Sequence, residues 1–268
     1  MGHAEDRVRI HFGKELHRMR TRAGYTQEQL AELLGCTGGW ISTMESGRKI
    51  SEQSANDLDT FFKTDGHFFR IWELSQEIEI TTALPPGFPE YLSKERIATC
   101  VQIYTLSLIS GLFQTEEYAR AIMGSCHPEG DLEKLVATRM ERQKILTKDD
   151  PPHIWYTLDE HALRNAIGGR EIQRAQLEHL LALSELPNVS IRVVRQASAY
   201  HEGYAGPFIV LGMESGRHVA YTESAGLGIL IEEPMRAAHY LIRYGLVSDH
   251  ALTVVESRAF IRALLEEL

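Results

Sequence analysis

The chain has 268 residues, 43% hydrophobic and 24% charged, with a net charge of −9. This composition supports a buried core without disulfide staples and excludes nucleic-acid binding by bulk positive charge. Cys36, Cys100 and Cys126 are widely spaced without metal-type pairing, the start MGHAEDRVRI lacks a secretory pattern, and no apolar run has the length of a membrane span; a cytoplasmic protein away from the membrane is expected.

Residues 1–79 hold ten basic against thirteen acidic residues, a balance of −3. Any DNA contact there needs its cations gathered on one face. Lys14, Arg18 and Arg22 recur at i, i+4 and i+8 on a first helix, while Phe12, Leu16, Met19 and Ala23 form a separate apolar stripe. A solvated helix face explains such a trio equally well. Thr26 is placed to cap a second helix, QEQLAELLG, with Leu30, Leu33 and Leu34 inward and Gly35 as its stop. Thr37 caps a short third helix, GGWISTMESG, with Ile41 and Met44 inward and Gly47 closing it. SEQSANDLDTFF and GHFFRIWELSQEI follow as fourth and fifth helices, the latter with Phe68, Ile71, Trp72 and Ser75 at helical spacing. The pattern predicts a five-helix helix-turn-helix bundle over 1–79.

The run TQEQLAELLGCTGGWISTMESGRKIS resembles the phage-repressor-type (XRE-type) helix-turn-helix family in TQxxLA, the following Gly, the Ile-Ser pair and the final ExG, over about residues 10–65. The resemblance implies a double-stranded DNA partner, a phosphate contact from Gln27, and insertion of the third helix into the major groove. Gly38, Gly39 and Thr43 then face base edges, Thr37 and Trp40 lie near the backbone or an adjoining base, and Arg48 and Lys49 meet phosphate. The two glycines depart from the Gln, Arg or Ser usual there. Bidentate base readout is missing, and specificity shifts to DNA shape and half-site spacing. A degenerate helix that no longer binds DNA is the alternative. Trp40 also reads as an aromatic packed on the second helix, and Glu45 as the partner of a basic residue of the first.

Pro85, Pro86 and Pro89 interrupt helical periodicity, so a Pro-rich linker is expected over 80–90 and a second domain over 91–268. Expected strands are TCVQIYTLSL, HIWYTLD, NVSIRVVRQ, GPFIVLGM and HVAYTES. Expected helices are TEEYARAIM, capped by Thr115, then DLEKLVATRMERQKIL, EHALRNAIGG, REIQRAQLEHLLALSEL and two terminal helices. The class is α+β, mainly α, with a small, largely antiparallel sheet whose last three strands are antiparallel around the ESGR turn.

The phrases SGLFQTEEYARAIM, RMERQKIL, IWYTLDEHALR, QLEHLLALSELPNVSIRVV, HEGYAGPFIV and VAYTES look like the C-terminal domain of WhiJ-like actinobacterial regulators, with departures at Ser110, for Pro, and Phe113, for Leu. That resemblance implies a regulator of development or antibiotic production and a small, antitoxin- or toxin-like partner protein. A homodimer through the C-terminal domain is expected, because two half-sites need a two-fold partner.

HEGYA places Ala205 where a zinc peptidase needs its second His, and Asp159-Glu160-His161 diverge on a helix without a Ser or Cys elbow. No enzyme, metal or cofactor is expected. Arg139, Arg142 and Gln143 share one side of a helix and can face a carboxylate, a phosphate or an acidic partner, or pair within the chain. Tyr200, His201 and Tyr204 sit in a glycine-containing loop of the kind that holds ligands, or in a turn in which Gly203 and Gly206 supply positive φ. Three readings stand: a DNA-binding regulator whose C-terminal domain receives a signal, an antitoxin-like interaction protein, and an enzyme with a vestigial DNA domain.

Overall fold

The computed structural model describes residues 3–48, 50–125, 129–196 and 200–268. The chain divides into two compact units, Met1–Leu84 and Pro85–Leu268.

The first unit consists of α1 (His3–Arg22), α2 (Gln27–Leu34), α3 (Gly38–Glu45), α4 (Glu52–Phe62) and α5 (His67–Ala83). Local chemistry sets the ends. The Thr26 hydroxyl accepts from the Gln29 amide and the Gln29 side chain accepts from the Thr26 amide, which satisfies two orphan donors of α2. Gly35 then takes a left-handed conformation at φ 67° and ends the helix. Thr37 and Ser51 cap α3 and α4 through the hydroxyl alone, accepting from the Trp40 and Ser54 amides. Phe12, Leu16, Leu30, Ile41, Met44, Leu58 and Phe68 form the core. Two expectations fail here. Leu33 is exposed, because Leu30, Ala31 and Leu34 already fill the inward face of the short α2, and Ala23 lies beyond the end of α1 and is exposed. Helix α5 also runs on to Ala83, into the stretch expected to be linker.

The second unit contains α6 (Phe88–Glu95), β1 (Ala98–Thr105), α7 (Glu116–Met123), α8 (Glu129–Arg142), β2 (His153–Asp159), α9 (Glu160–Arg164), α10 (Arg170–Leu183), β3 (Val189–Val194), β4 (Phe208–Met213), β5 (His218–Ser224), β6 (Leu227–Ile231), α11 (Pro234–Asp249) and α12 (Val254–Glu267). Pro89 falls in the first turn of α6, where a missing N–H costs nothing. The molecule is α+β and mainly α, as expected.

Its sheet is larger and more mixed than expected. Six strands run in the order β3-β2-β1-β4-β5-β6. β1, β2 and β3 are parallel neighbours, whereas β4, β5 and β6 are antiparallel. The ESGR turn does join β4 to β5, but β3 lies on the opposite edge. Helical crossovers precede β2 and β3, and such connections return the chain parallel. β6 was not foreseen: its two-residue turn places Ala225 at φ 51° and Gly226 at φ 75°, and Ala is an unusual residue there. One face of the sheet packs on α7, α10 and α12 through Tyr118, Leu177, Leu180, Ile261 and Leu264. α11 packs on the other through Tyr244 and Val247, against Tyr104, Phe208 and Val210.

Candidate nucleic-acid interface

The position of α3 is set by its last residue. Glu45 accepts from Arg20 Nε of α1 at 2.6 Å and Arg20 Nη2 at 3.1 Å, and from Gln27 Nε2 at the start of α2 at 2.7 Å, with His17 Nδ1 at 3.3 Å. Arg20 also donates to the Tyr25 carbonyl at 2.8 Å. The Glu45 side chain is 8% exposed and that of Arg20 11%, so the pair lies largely out of water. Burial raises the Glu45 carboxyl, yet the bonds from Arg20, Gln27 and His17 outweigh it and hold the group below its ordinary value. A carboxylate thus clamps three helices. Gly13 allows the approach, since a Cβ there would collide with the carbonyls of Met44 and Glu45.

Glu45 pairs with the first helix, as anticipated, but Arg20 was not singled out. Its signal was Gly13, an isolated glycine in a helical run, which marks close packing. Gln27 keeps its carbonyl oxygen and one N–H for an outside contact. Lys14, Arg18 and Arg22 are exposed on α1, whereas Gly13, His17 and Arg20 of that helix meet α3. Arg18 is paired with Glu15 at 2.7 Å. Among the described residues Lys14, Arg22 and Arg48 make no ion pair. Lys49 lies outside the described residues.

Thr37 accepts from the Trp40 amide at 3.2 Å, and Trp40 donates its indole N–H to Ser54 Oγ of α4 at 3.0 Å while packing on the core. Its ring is therefore tied to α4 and packed on the core to which Leu30 and Ala31 of α2 belong. Thr43 turns its hydroxyl onto the Gly39 carbonyl at 2.8 Å, which leaves its methyl and an oxygen lone pair outward. Gly38 and Gly39 open α3 without positive φ. A Cβ at Gly38 would meet Glu28 at an ordinary 3.5 Å, and one at Gly39 only Thr37 Oγ1 at 3.9 Å. Neither backbone conformation nor packing requires glycine at these two positions.

The ligand candidates of the second unit separate. Arg142 is held by Glu95 at 2.6 and 2.7 Å and by the Tyr91 hydroxyl at 3.0 Å; burial opposes its charge, but those partners prevail and raise its pKa. Gln143 donates to the carbonyls of Gly111 and Gln114 at 2.9 and 2.7 Å. Both are intramolecular ties. Tyr91, Glu95 and Gln114, which complete these sites, carried no sequence signal. Arg139 differs: among the described residues it bonds only to the Gln114 amide oxygen, at 2.8 Å.

His201 is buried, accepts from the Gly203 amide at 3.1 Å and contacts Tyr104, Tyr204 and His250; burial and then His250 lower its pKa. Tyr200 and Tyr204 are exposed and stacked at 5.6 Å. Of the two loop glycines Gly206 alone has positive φ, while Gly203 lies against the Tyr104 ring, where a Cβ would not fit. Asp159 caps α9, and Glu160 is paired with Arg164 and Arg195. No helix among the described residues is long and apolar enough to cross a membrane.

Two capped short helices set on a longer one, the second ending in a three-helix clamp and beginning in a bare glycine face, define a helix-turn-helix DNA-binding domain. Residues 11–67 match the family described as Helix-turn-helix domain. Residues 88–263 match the family described as Domain of unknown function (DUF5753), and the chain belongs to that family. No curated protein matches the chain.

Proposed function

We propose that the protein is a sequence-specific transcriptional regulator that binds operator DNA as a homodimer. The observation that carries this reading is the pair Gly38 and Gly39. Glycine in a helix costs stability relative to alanine, and here nothing within the domain demands it. A partner that needs close approach to the helix backbone accounts for both. In this reading α3 enters the major groove, Thr43 offers a methyl and a hydroxyl oxygen to bases, and the uncapped first-turn amides of Gly38 and Gly39 meet phosphate. Gln27, Arg48, Lys49 and the exposed Lys14, Arg18 and Arg22 supply the remaining phosphate contacts.

The homodimer is assigned to α11. Met235, Ile242 and Leu246 stand exposed at i, i+7 and i+11 on one stripe of that helix, and Gly245 beside them faces open space. Such a stripe packs against its own copy across a two-fold axis. The second unit is the receiver of a signal, and the resemblance to WhiJ-like regulators supports a role in development or antibiotic production.

The test is fluorescence anisotropy of the full chain on its own upstream DNA over a salt series. Binding that weakens steeply with salt and distinguishes this DNA from a scrambled duplex is expected. Equal affinity for both duplexes, or none, would overturn the proposal.

A further inference from the structure

The second unit holds a cavity of about 310 Å³ on the sheet face opposite α11, small but within the range of ligand sites. Its floor is one row of the sheet: Ile103 of β1 pairs with Ile209 of β4, which pairs with Tyr221 of β5. Arg139 and Arg142 of α8 and Glu223 of β5 supply its charged groups, and the loop through Leu108 to Gly111 forms a wall.

Arg139 is the anomaly. Its neighbour Arg142, three residues on, is locked to Glu95, whereas Arg139 has no carboxylate within ion-pair distance among the described residues. One neutral oxygen, Gln114 Oε1, receives one of its five N–H donors. The guanidinium lies flat on Gly111, where a Cβ would come within 2.9 Å of Nη1 and 3.1 Å of Cζ. Burial, with Arg142 adding repulsion, pulls its pKa down to about 10. A half-buried cation with unused donors facing an apolar-floored cavity is poorly solvated, and an anion in that cavity would complete it.

We propose that this cavity binds a small apolar monocarboxylate, its carboxylate paired with Arg139 and its hydrocarbon body on Ile103 and Ile209. The planar guanidinium matches a carboxylate through two parallel bonds. A phosphate dianion fits less well: Arg142 is already engaged by Glu95, and the Glu223 carboxylate acts on Arg139 from the cavity wall and repels a second negative charge. The inference deepens the signal-receiving part of the proposed function, and the role of the bound acid as a signal rests on that reading.

Titration calorimetry of the full chain with hexanoate, against hexanamide and butyl phosphate, tests it. Hexanoate should bind at about 1 mM or tighter, and both comparators at least about tenfold more weakly. Arg139→Met should abolish the difference between acid and amide while leaving the unfolding temperature unchanged or raised, because a half-buried charge without a carboxylate partner is removed. Leu108→Trp, at a half-exposed wall position, should reduce hexanoate affinity at least about tenfold with the fold intact. Hexanoate binding weaker than about 1 mM, equal binding of acid and amide, or full retention in Arg139→Met would overturn the assignment. Calorimetry needs no DNA, so a chain that binds hexanoate but not its operator refutes the regulator reading alone, and the converse refutes the cavity alone.

Discussion

Arg20 and Glu45 meet at 2.6 Å across the contact of α1 with α3, and the orientation of α3 depends on that pair. Removing one partner strands the other in a largely dry site. Glu45→Gln should destabilise the first unit by about 3 kcal/mol, read as a lowered first transition in urea unfolding of the full chain. If Arg20→Met added to it costs as much again, the two residues are not coupled and the clamp is misassigned.

The same carboxyl sets an acid limit. Its folded pKa lies below the ordinary 4.5, so the folded unit resists protonation more than the unfolded chain does. The stabilisation is complete above about pH 4.5 and is lost as pH falls through the lowered folded value. A pH series of melting curves should show an acid-side decline in the first transition that is shallower in Glu45→Gln. Equal declines would assign it to other carboxylates.

Phosphate contacts are counted by salt. Each one lost should lower the slope of log K against log salt by about 0.9, so Arg48→Ala with Lys49→Ala should lower it by about 2. An unchanged slope would remove both residues from the interface.

Gly39 opposes stability to function. A methyl there meets only Thr37 Oγ1 at 3.9 Å, so Gly39→Ala should stabilise the unit by about 0.5 kcal/mol while weakening operator binding. Thin base readout also means that single operator substitutions should each cost no more than about 1 kcal/mol, with changes of half-site spacing costing more. A variant that gains stability and keeps full affinity would show that α3 does not approach DNA through this face.

Ile242→Glu on the exposed stripe of α11 should convert the proposed dimer to monomer in sedimentation and weaken operator binding without altering the fold. A dimer of unchanged strength would place the two-fold elsewhere.

The sequence made some features legible and hid others for physical reasons. Caps and stops were readable because Thr26, Thr37 and Gly35 act within a few residues of themselves. The inward Ile41 and Met44 followed from helical spacing, while Leu33 was misread because Ala31, small and easily overlooked, takes the buried place. Strand existence was legible for five strands, but strand order was not: the position of β3 depends on crossovers that no local pattern records. The ionic sites were hidden for the same reason. Arg142 and Glu95 are 47 residues apart in sequence, and only the fold brings them together; the cavity beside Arg139 is likewise a product of register between three strands.

The mixed sheet bears on how the chain is made. β1 occupies the third place from one edge and is the first strand to emerge, yet its partner on one side, β4, begins at Phe208, about a hundred residues after β1 ends at Thr105. During synthesis at some 5–20 residues per second, the apolar segment from Val101 to Tyr104 therefore waits on the order of five to twenty seconds with an open edge. The β4–β5–β6 meander, closed by tight turns, forms in microseconds once released, while the parallel half must first close long loops. Assembly of the second unit is thus gated by late capture of β1, and slowing translation after Thr105 should increase the share of chain recovered in chaperone complexes.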